Sequence, residues 1–250
     1  MKIVVIGGTG LIGSQVTNIL KNENEVIAAS PNTGVNTITG EGLDNVLENA
    51  NIVVDVSNAP SFADAAVMEF FKTSNENLLR AEKKAGVQHH IALSVVGTQK
   101  LQESGYFRAK QVQEDLIKAS GIPYTIVHAT QFFEFAGSIA AMSTVDGKVY
   151  LSDAFIQPMA SADVASFVAK TALTPPAQNI LEIGGPERFH IDEWIRQYLK
   201  ITNKPFEVVT QAGAPYSGVV LEPTMLVPEK ATYLGGIMYK DWISISGNQR

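Results

Sequence analysis

The chain has no cysteine, which excludes disulfides, thiolate metal sites and cysteine nucleophiles. Positive charge is scarce: 19 Lys and Arg against 25 Asp and Glu leave a net charge of −6. No basic surplus exists to neutralise a phosphate backbone, so a nucleic-acid partner is not expected. Long apolar runs are missing as well. The run Ile3 to Ile6 is too short for a signal-peptide core or a membrane span. No later stretch reaches the roughly eighteen apolar residues that a span needs. The expected location is the cytoplasm, with no membrane partner. Histidines stand only at 89, 90, 128 and 190, and the adjacent His89 and His90 would point to opposite faces of a strand. No metal site is expected.

What remains is an ordinary globular composition, 45% hydrophobic and 18% charged, with enough length at 250 residues to bury a core. The first 130 residues alternate β-branched runs with helical patterns, the mark of βαβ units and a parallel sheet. Strands are expected at Lys2–Gly7, Glu25–Ser30, Val35–Thr39, Asn51–Ser57, His89–Val96 and Pro123–His128, and helices at Leu11–Lys21, Gly42–Asn49, Ala63–Ala85 and Gly105–Ser120. Gly86 and Gly121 suit helix C-terminal caps. Beyond residue 150, "QPMASADVASFVAKTAL" reads as a loop and helix, "ILEIGG" as a strand and "IDEWIRQYLKI" as an amphipathic helix. The expected fold is α/β, a doubly wound parallel-sheet Rossmann fold. Its core would span 1–150, with 151–250 completing the sheet and adding a small C-terminal α/β lobe over the substrate.

"VVIGGTGLIGSQ" places four glycines directly after a strand and at the start of a helix. Such glycines permit a tight turn, close approach of backbone to a pyrophosphate, and close helix–strand packing. The helix N-terminus adds free N–H groups and a favourable dipole. Gly7, Thr9, Gly10, Leu11, Ile12 and Gly13 are therefore candidate dinucleotide contacts. About 20 residues on, an NAD site usually carries a carboxylate for the ribose 2′-OH. Here that place is Ser30, followed by Pro31, Asn32 and Thr33, with neither acid nor arginine. Ser30, Asn32 and Thr33 can donate to a hydroxyl or a phosphate. The missing acid favours NADP(H) over NAD(H).

Tyr106 and Lys110 in "GYFRAK" lie four apart, on one side of a helix, and Ser94 stands twelve residues upstream. A helical projection puts both beside Gln113 and Ile117, at the margin of an apolar arc of Ala109, Val112 and Leu116. A lysine ammonium ~5 Å from a phenol, at an effective dielectric of ~20, favours phenolate by roughly 3 kcal/mol. Tyr106 would then deliver a proton to a carbonyl oxygen that Ser94 holds, and Lys110 would also hold the nicotinamide ribose.

With these residues together, the chain resembles the short-chain dehydrogenase/reductase superfamily, in its extended and atypical, NmrA-like NAD(P)H-binding branch. "GGTGLIG", Ser94…Tyr106-x-x-x-Lys110, "GIPYTIVHATQFFEF" and "QPMASADVA" carry the resemblance, over about residues 1 to 200. It implies that Ser57, Asn58 and Ala59, and Ala129, Thr130 and Gln131, touch the cofactor. It also implies that Phe132 and Phe133, with Phe135, border a substrate pocket. The function it implies is hydride transfer from NADP(H) to a small carbonyl or quinone-like substrate. A non-catalytic NAD(P)-binding redox sensor and a sugar-nucleotide epimerase-like enzyme are the alternatives. Monomer and homodimer are both open.

Overall fold

A computed structural model of the chain describes residues 1–249. Its centre is a seven-stranded parallel sheet flanked by helices. The strands are β1 (Lys2–Ile6), β2 (Glu25–Ala29), β3 (Ile52–Asp55), β4 (His89–Val95), β5 (Tyr124–Ala129), β6 (Asn179–Gly184) and β7 (Ala231–Leu234). They lie in the order β7-β6-β5-β4-β3-β1-β2. The helices are α1 (Leu11–Leu20), α2 (Leu43–Leu47), α3 (Asp64–Ala85), α4 (Gly105–Ala119), α5 (Ala136–Met142), α6 (Ser161–Ala172), α7 (Ile191–Ile201) and α8 (Tyr239–Ser244). Every residue of β3 is buried, as expected for a strand covered on both faces. Gly86 caps α3 in the left-handed region, at φ 73°.

Residues 35–39, expected as a strand, form none. Asn36 Oδ1 accepts from the N–H groups of Ile38 and Thr39 at 2.9 and 3.3 Å, and its carbonyl accepts from Gly40 at 2.9 Å. This local turn occupies the backbone groups that a strand would offer to β2. Val35 is buried instead with Leu43, Leu47 and Val53. The sheet therefore ends at β2, and the direction of winding reverses between β1 and β3. That reversal is where open α/β sheets hold their ligands.

The chain forms two compact units, one of residues 1–128 with 164–181, the other of residues 129–163 with those from 182 onward. No single cut in the sequence separates them. In the first, Val4, Ile6, Ala29, Leu78 and Ala81 pack on one side of the sheet, while Val67, Phe71 and Ala109 join α3 to α4. In the second, α7 buries Ile191, Trp194, Ile195, Tyr198 and Leu199, the spacing of an amphipathic helix face. Its core is aromatic: Phe133 lies 5.1 Å from Tyr239 and 5.4 Å from Trp242, centroid to centroid.

Candidate functional site

The glycine turn joins β1 to α1, and three of its glycines are required by their surroundings. Gly7 has φ +76°, and a Cβ there would meet the Ser57 backbone at 2.9 Å. A Cβ on Gly8 would meet Ala28 Cα at 2.6 Å, and one on Gly13 would meet the Gly7 carbonyl oxygen at 2.2 Å. Gly10 differs. Its φ of −81° suits any residue, and a Cβ would touch only the Gly7 oxygen, at 3.3 Å. Nothing within the fold demands glycine at 10. Thr9, Gly10 and Leu11 are exposed, which leaves the turn open to a ligand.

The turn also offers charge complementarity to an anion. The N–H groups of Gly7 and Gly8 bond the Ala29 carbonyl, and that of Gly10 bonds Gly7. Those of Leu11, Ile12 and Gly13 open α1 and have no intrahelical acceptor. The N-cap, Gly10, has no side chain to cap them, and the first turn carries no acid. At the end of β2, Ser30 is 6% exposed and opens the short 3-10 turn of Pro31–Thr33. Thr33 Oγ1 accepts from the Ser30 N–H at 2.9 Å and faces the Ala28 carbonyl at 3.1 Å. Asn32 is exposed. A pyrophosphate on α1 and a ribose beside Ser30 fit these donors.

Beyond β3, Asp55 is 2% exposed and organises the next loop. Its Oδ1 accepts from the Ser57 N–H at 3.0 Å and the Ser57 hydroxyl at 2.6 Å. Asn58 Oδ1 accepts from the Ala59 N–H at 3.0 Å, and the Tyr106 hydroxyl donates to it at 3.4 Å. Tyr106 is half-buried among rings: Phe62 at 5.6 Å, Phe107 at 5.5 Å and Phe71 at 6.0 Å.

Ser94 and Lys110 face inward. The buried face of α4 holds Phe107, Ala109, Lys110, Gln113, Glu114 and Ile117. It is rotated from the expected arc, with Val112 and Leu116 only half-buried. Polar residues can occupy that face because each finds a partner there. The Ser94 hydroxyl donates to Glu114 Oε1 at 2.6 Å, and His128 Nε2 lies 2.7 Å from the same oxygen. Burial alone would raise the Glu114 pKa, but His128, Ser94 and Lys118 together hold it below the usual range. A serine has one proton to give, and here the carboxylate receives it. Replacing Ser94 by alanine is expected to lower stability by about 1–3 kcal/mol in urea unfolding, because Glu114 loses a buried donor. An unchanged midpoint would contradict that bond.

The Lys110 ammonium donates to the Leu93 carbonyl at 2.9 Å and to Gln113 Oε1, and sits 4.5 Å above the Phe71 ring. Three hydrogens thus have three partners. Burial pushes its pKa down to about 8, partly offset by the charges of Asp55 and Glu114. Below about pH 8 the folded protein carries the full cost of a buried cation, about 3 kcal/mol relative to the unfolded chain. Between 8 and 10.5 the unfolded chain holds the extra proton, so this lysine makes stability rise with pH. Lys110→Met should flatten that rise in denaturant titrations. An identical slope in the variant would refute the burial.

Of the remaining expected contacts, Thr130 is buried with its hydroxyl on the Gln157 carbonyl at 2.6 Å. Ala129 and Gln131 are also buried. Phe133 has no exposure and belongs to the aromatic core of its unit, while Phe132 stacks on the exposed Phe135 at 5.0 Å. Asp55, Gln113 and Glu114 were not anticipated as site residues. The signals were an acid ending an all-apolar strand and two polar residues one turn beyond Lys110.

Comparison with known proteins places the fold among solved structures. Over its whole length the chain superimposes on dTDP-4-dehydrorhamnose reductase from Yersinia enterocolitica, covering 99% of that chain with a TM-score of 0.70 at 16% identity. The reductase from Bacillus anthracis, solved with NADP, gives 0.68 at 13% identity over 86% of each chain. WbmG from Bordetella bronchiseptica, solved with NAD, gives 0.67 at 16% identity over 98% and 92%. In sequence, the photosystem II assembly factor Ycf39 of Cyanophora paradoxa is 24% identical over 197 residues, 72% of this chain and 61% of that protein. Its counterpart in Synechocystis is 22% identical over 188 residues, 68% and 58%. The chain thus spans about three fifths of the curated relatives it matches. The family model for NAD(P)H-binding proteins matches residues 7–175, from the glycine turn past α6. The chain belongs to the NAD(P)H-binding family.

Proposed function

We propose that the chain is an NADP(H)-dependent reductase of small carbonyl or quinone-like substrates, with Tyr106 as proton donor. The observation that carries the reading is the Tyr106 hydroxyl, hydrogen-bonded to Asn58 on the loop that packs against the glycine turn. Gly7, Thr9, Gly10 and the N–H groups of Leu11, Ile12 and Gly13 hold the pyrophosphate. Ser30, Asn32 and Thr33 receive the adenosine ribose, and the absence of a carboxylate there removes repulsion of a 2′-phosphate. The bound dinucleotide supplies hydride. Tyr106 gives its proton to the substrate oxygen, within hydrogen-bond reach of which it must sit. Ser94 and Lys110, both buried, support the Tyr106 end of this site through α4 and β4. Consumption of NADPH against a panel of quinones and carbonyls tests the reading, and no turnover with any acceptor would reject it.

A second reading has its own support. The Ser94 hydroxyl donates a hydrogen bond to Glu114, and the Lys110 ammonium donates to the Leu93 carbonyl and Gln113 and sits over the Phe71 ring. A protein so arranged can bind NAD(P) without turning it over, as a redox sensor that docks on a partner. The relatives named as assembly factors fit that role. Saturable NADPH binding with no acceptor-dependent oxidation would favour it.

A further inference from the structure

We propose that Asp55 and Gln113 are positioning residues for the dinucleotide, fixing the Ser57–Ala59 loop against the glycine turn, with Lys110 as their anchor. The inference rests on the dinucleotide reading of the turn.

The chain of contacts is continuous and largely buried. Asp55, Lys110 and Gln113 are each no more than 2% exposed. Lys110 Nζ is tied to the β4 backbone through the Leu93 carbonyl at 2.9 Å, and it donates to Gln113 Oε1. Gln113 Nε2 donates to Asp55 Oδ2 at 3.0 Å. Asp55 Oδ1 accepts both the N–H and the hydroxyl of Ser57. The Ser57 backbone in turn lies where a Cβ on Gly7 would stand, at 2.9 Å.

The polarity of each link is set by chemistry. A carboxamide presents an acceptor to the ammonium and a donor to the carboxylate, so both charges receive a charge-assisted bond through one neutral group. Glutamate at 113 would set two carboxylates against each other. Leucine would leave both charges without their bridge. With its hydrogens engaged, Lys110 acts on the loop through Gln113 and Asp55, and the phenol of Tyr106 has Asn58 as its partner.

Two variants and two readouts test this. In Gln113→Leu, the NADPH dissociation constant should rise at least tenfold, with the pH midpoint of cofactor-saturated turnover unchanged. Ser57→Ala, which takes the hydroxyl donor from buried Asp55 but leaves the Ser57 N–H bond, should weaken NADPH binding several-fold while lowering the melting temperature only by a few degrees. Independently of any cofactor, hydrogen exchange in Gln113→Leu should lose protection at Ser57 and Ala59 while the amides of α4 keep theirs. Unchanged protection in the loop overturns the proposal whether or not the dinucleotide binds. A shifted pH midpoint with unchanged affinity also overturns it, since Lys110 would then be acting on Tyr106. Failure of the wild-type chain to bind NADPH would sink the dinucleotide reading instead, and the exchange measurement still decides the structural claim.

Discussion

Tyr106→Phe should lower acceptor-dependent NADPH oxidation by about 10²- to 10⁴-fold, the range that a positioned proton donor contributes. That corresponds to about 3–5 kcal/mol of transition-state stabilisation. The ring would be retained, so packing against Phe62, Phe71 and Phe107 should persist. The hydrogen bond to Asn58 Oδ1 that would be lost is long at 3.4 Å and near solvent. Stability should therefore stay within about 0.5 kcal/mol, and NADPH affinity should be unchanged. The experiment separates the two functional readings cleanly. Turnover in the variant equal to wild type would remove Tyr106 from the chemistry, whereas no turnover in either protein would favour the sensor.

The glycine turn should split into two kinds of variant. Gly13→Ala sets a methyl 2.2 Å from the Gly7 carbonyl oxygen, between two stretches of backbone that have no flexible side chain to yield. A loss of about 3 kcal/mol or more is expected, at or beyond the upper end of overpacking costs. Gly10→Ala meets only a 3.3 Å approach in an unstrained backbone, and the N-cap change itself costs a few tenths of a kcal/mol to about 1. This variant should fold normally yet bind NADPH about 10- to 100-fold more weakly, because its methyl occupies the ligand's approach. Thermal melts and cofactor titrations on the same two proteins check both halves. Equal losses of stability in the two variants would mean that both glycines serve packing alone.

Much of this was legible in the chain. β1, the turn and α1 follow from a β-branched run, four glycines and an amphipathic stretch, all local signals. α3 ends where Gly86 adopts a left-handed conformation that L side chains resist. The strand expected at 35–39 failed because Asn36 bonds its own neighbours, a competition that hydrophobic pattern does not weigh. The face of α4 failed for a different reason. Lys110 and Gln113 are buried because Asp55, 58 residues before Gln113, completes their bridge, and no periodicity records a partner so distant. The same distance concealed the commitment of Ser94 to Glu114, 20 residues away. Local spacing brought Ser94, Tyr106 and Lys110 to notice, but their hydrogen-bond directions depend on tertiary partners.

The central claim is that the turn after β1 seats a pyridine dinucleotide, with Ser30 and Asn32 at its ribose. Calorimetric titration of the wild-type chain with NADPH and NADH measures it directly. The account predicts saturable one-to-one binding of both, with NADPH tighter by about tenfold, or roughly 1.4 kcal/mol. Absence of binding by either nucleotide, or equal affinity for NADPH in wild type and Gly10→Ala, would contradict it.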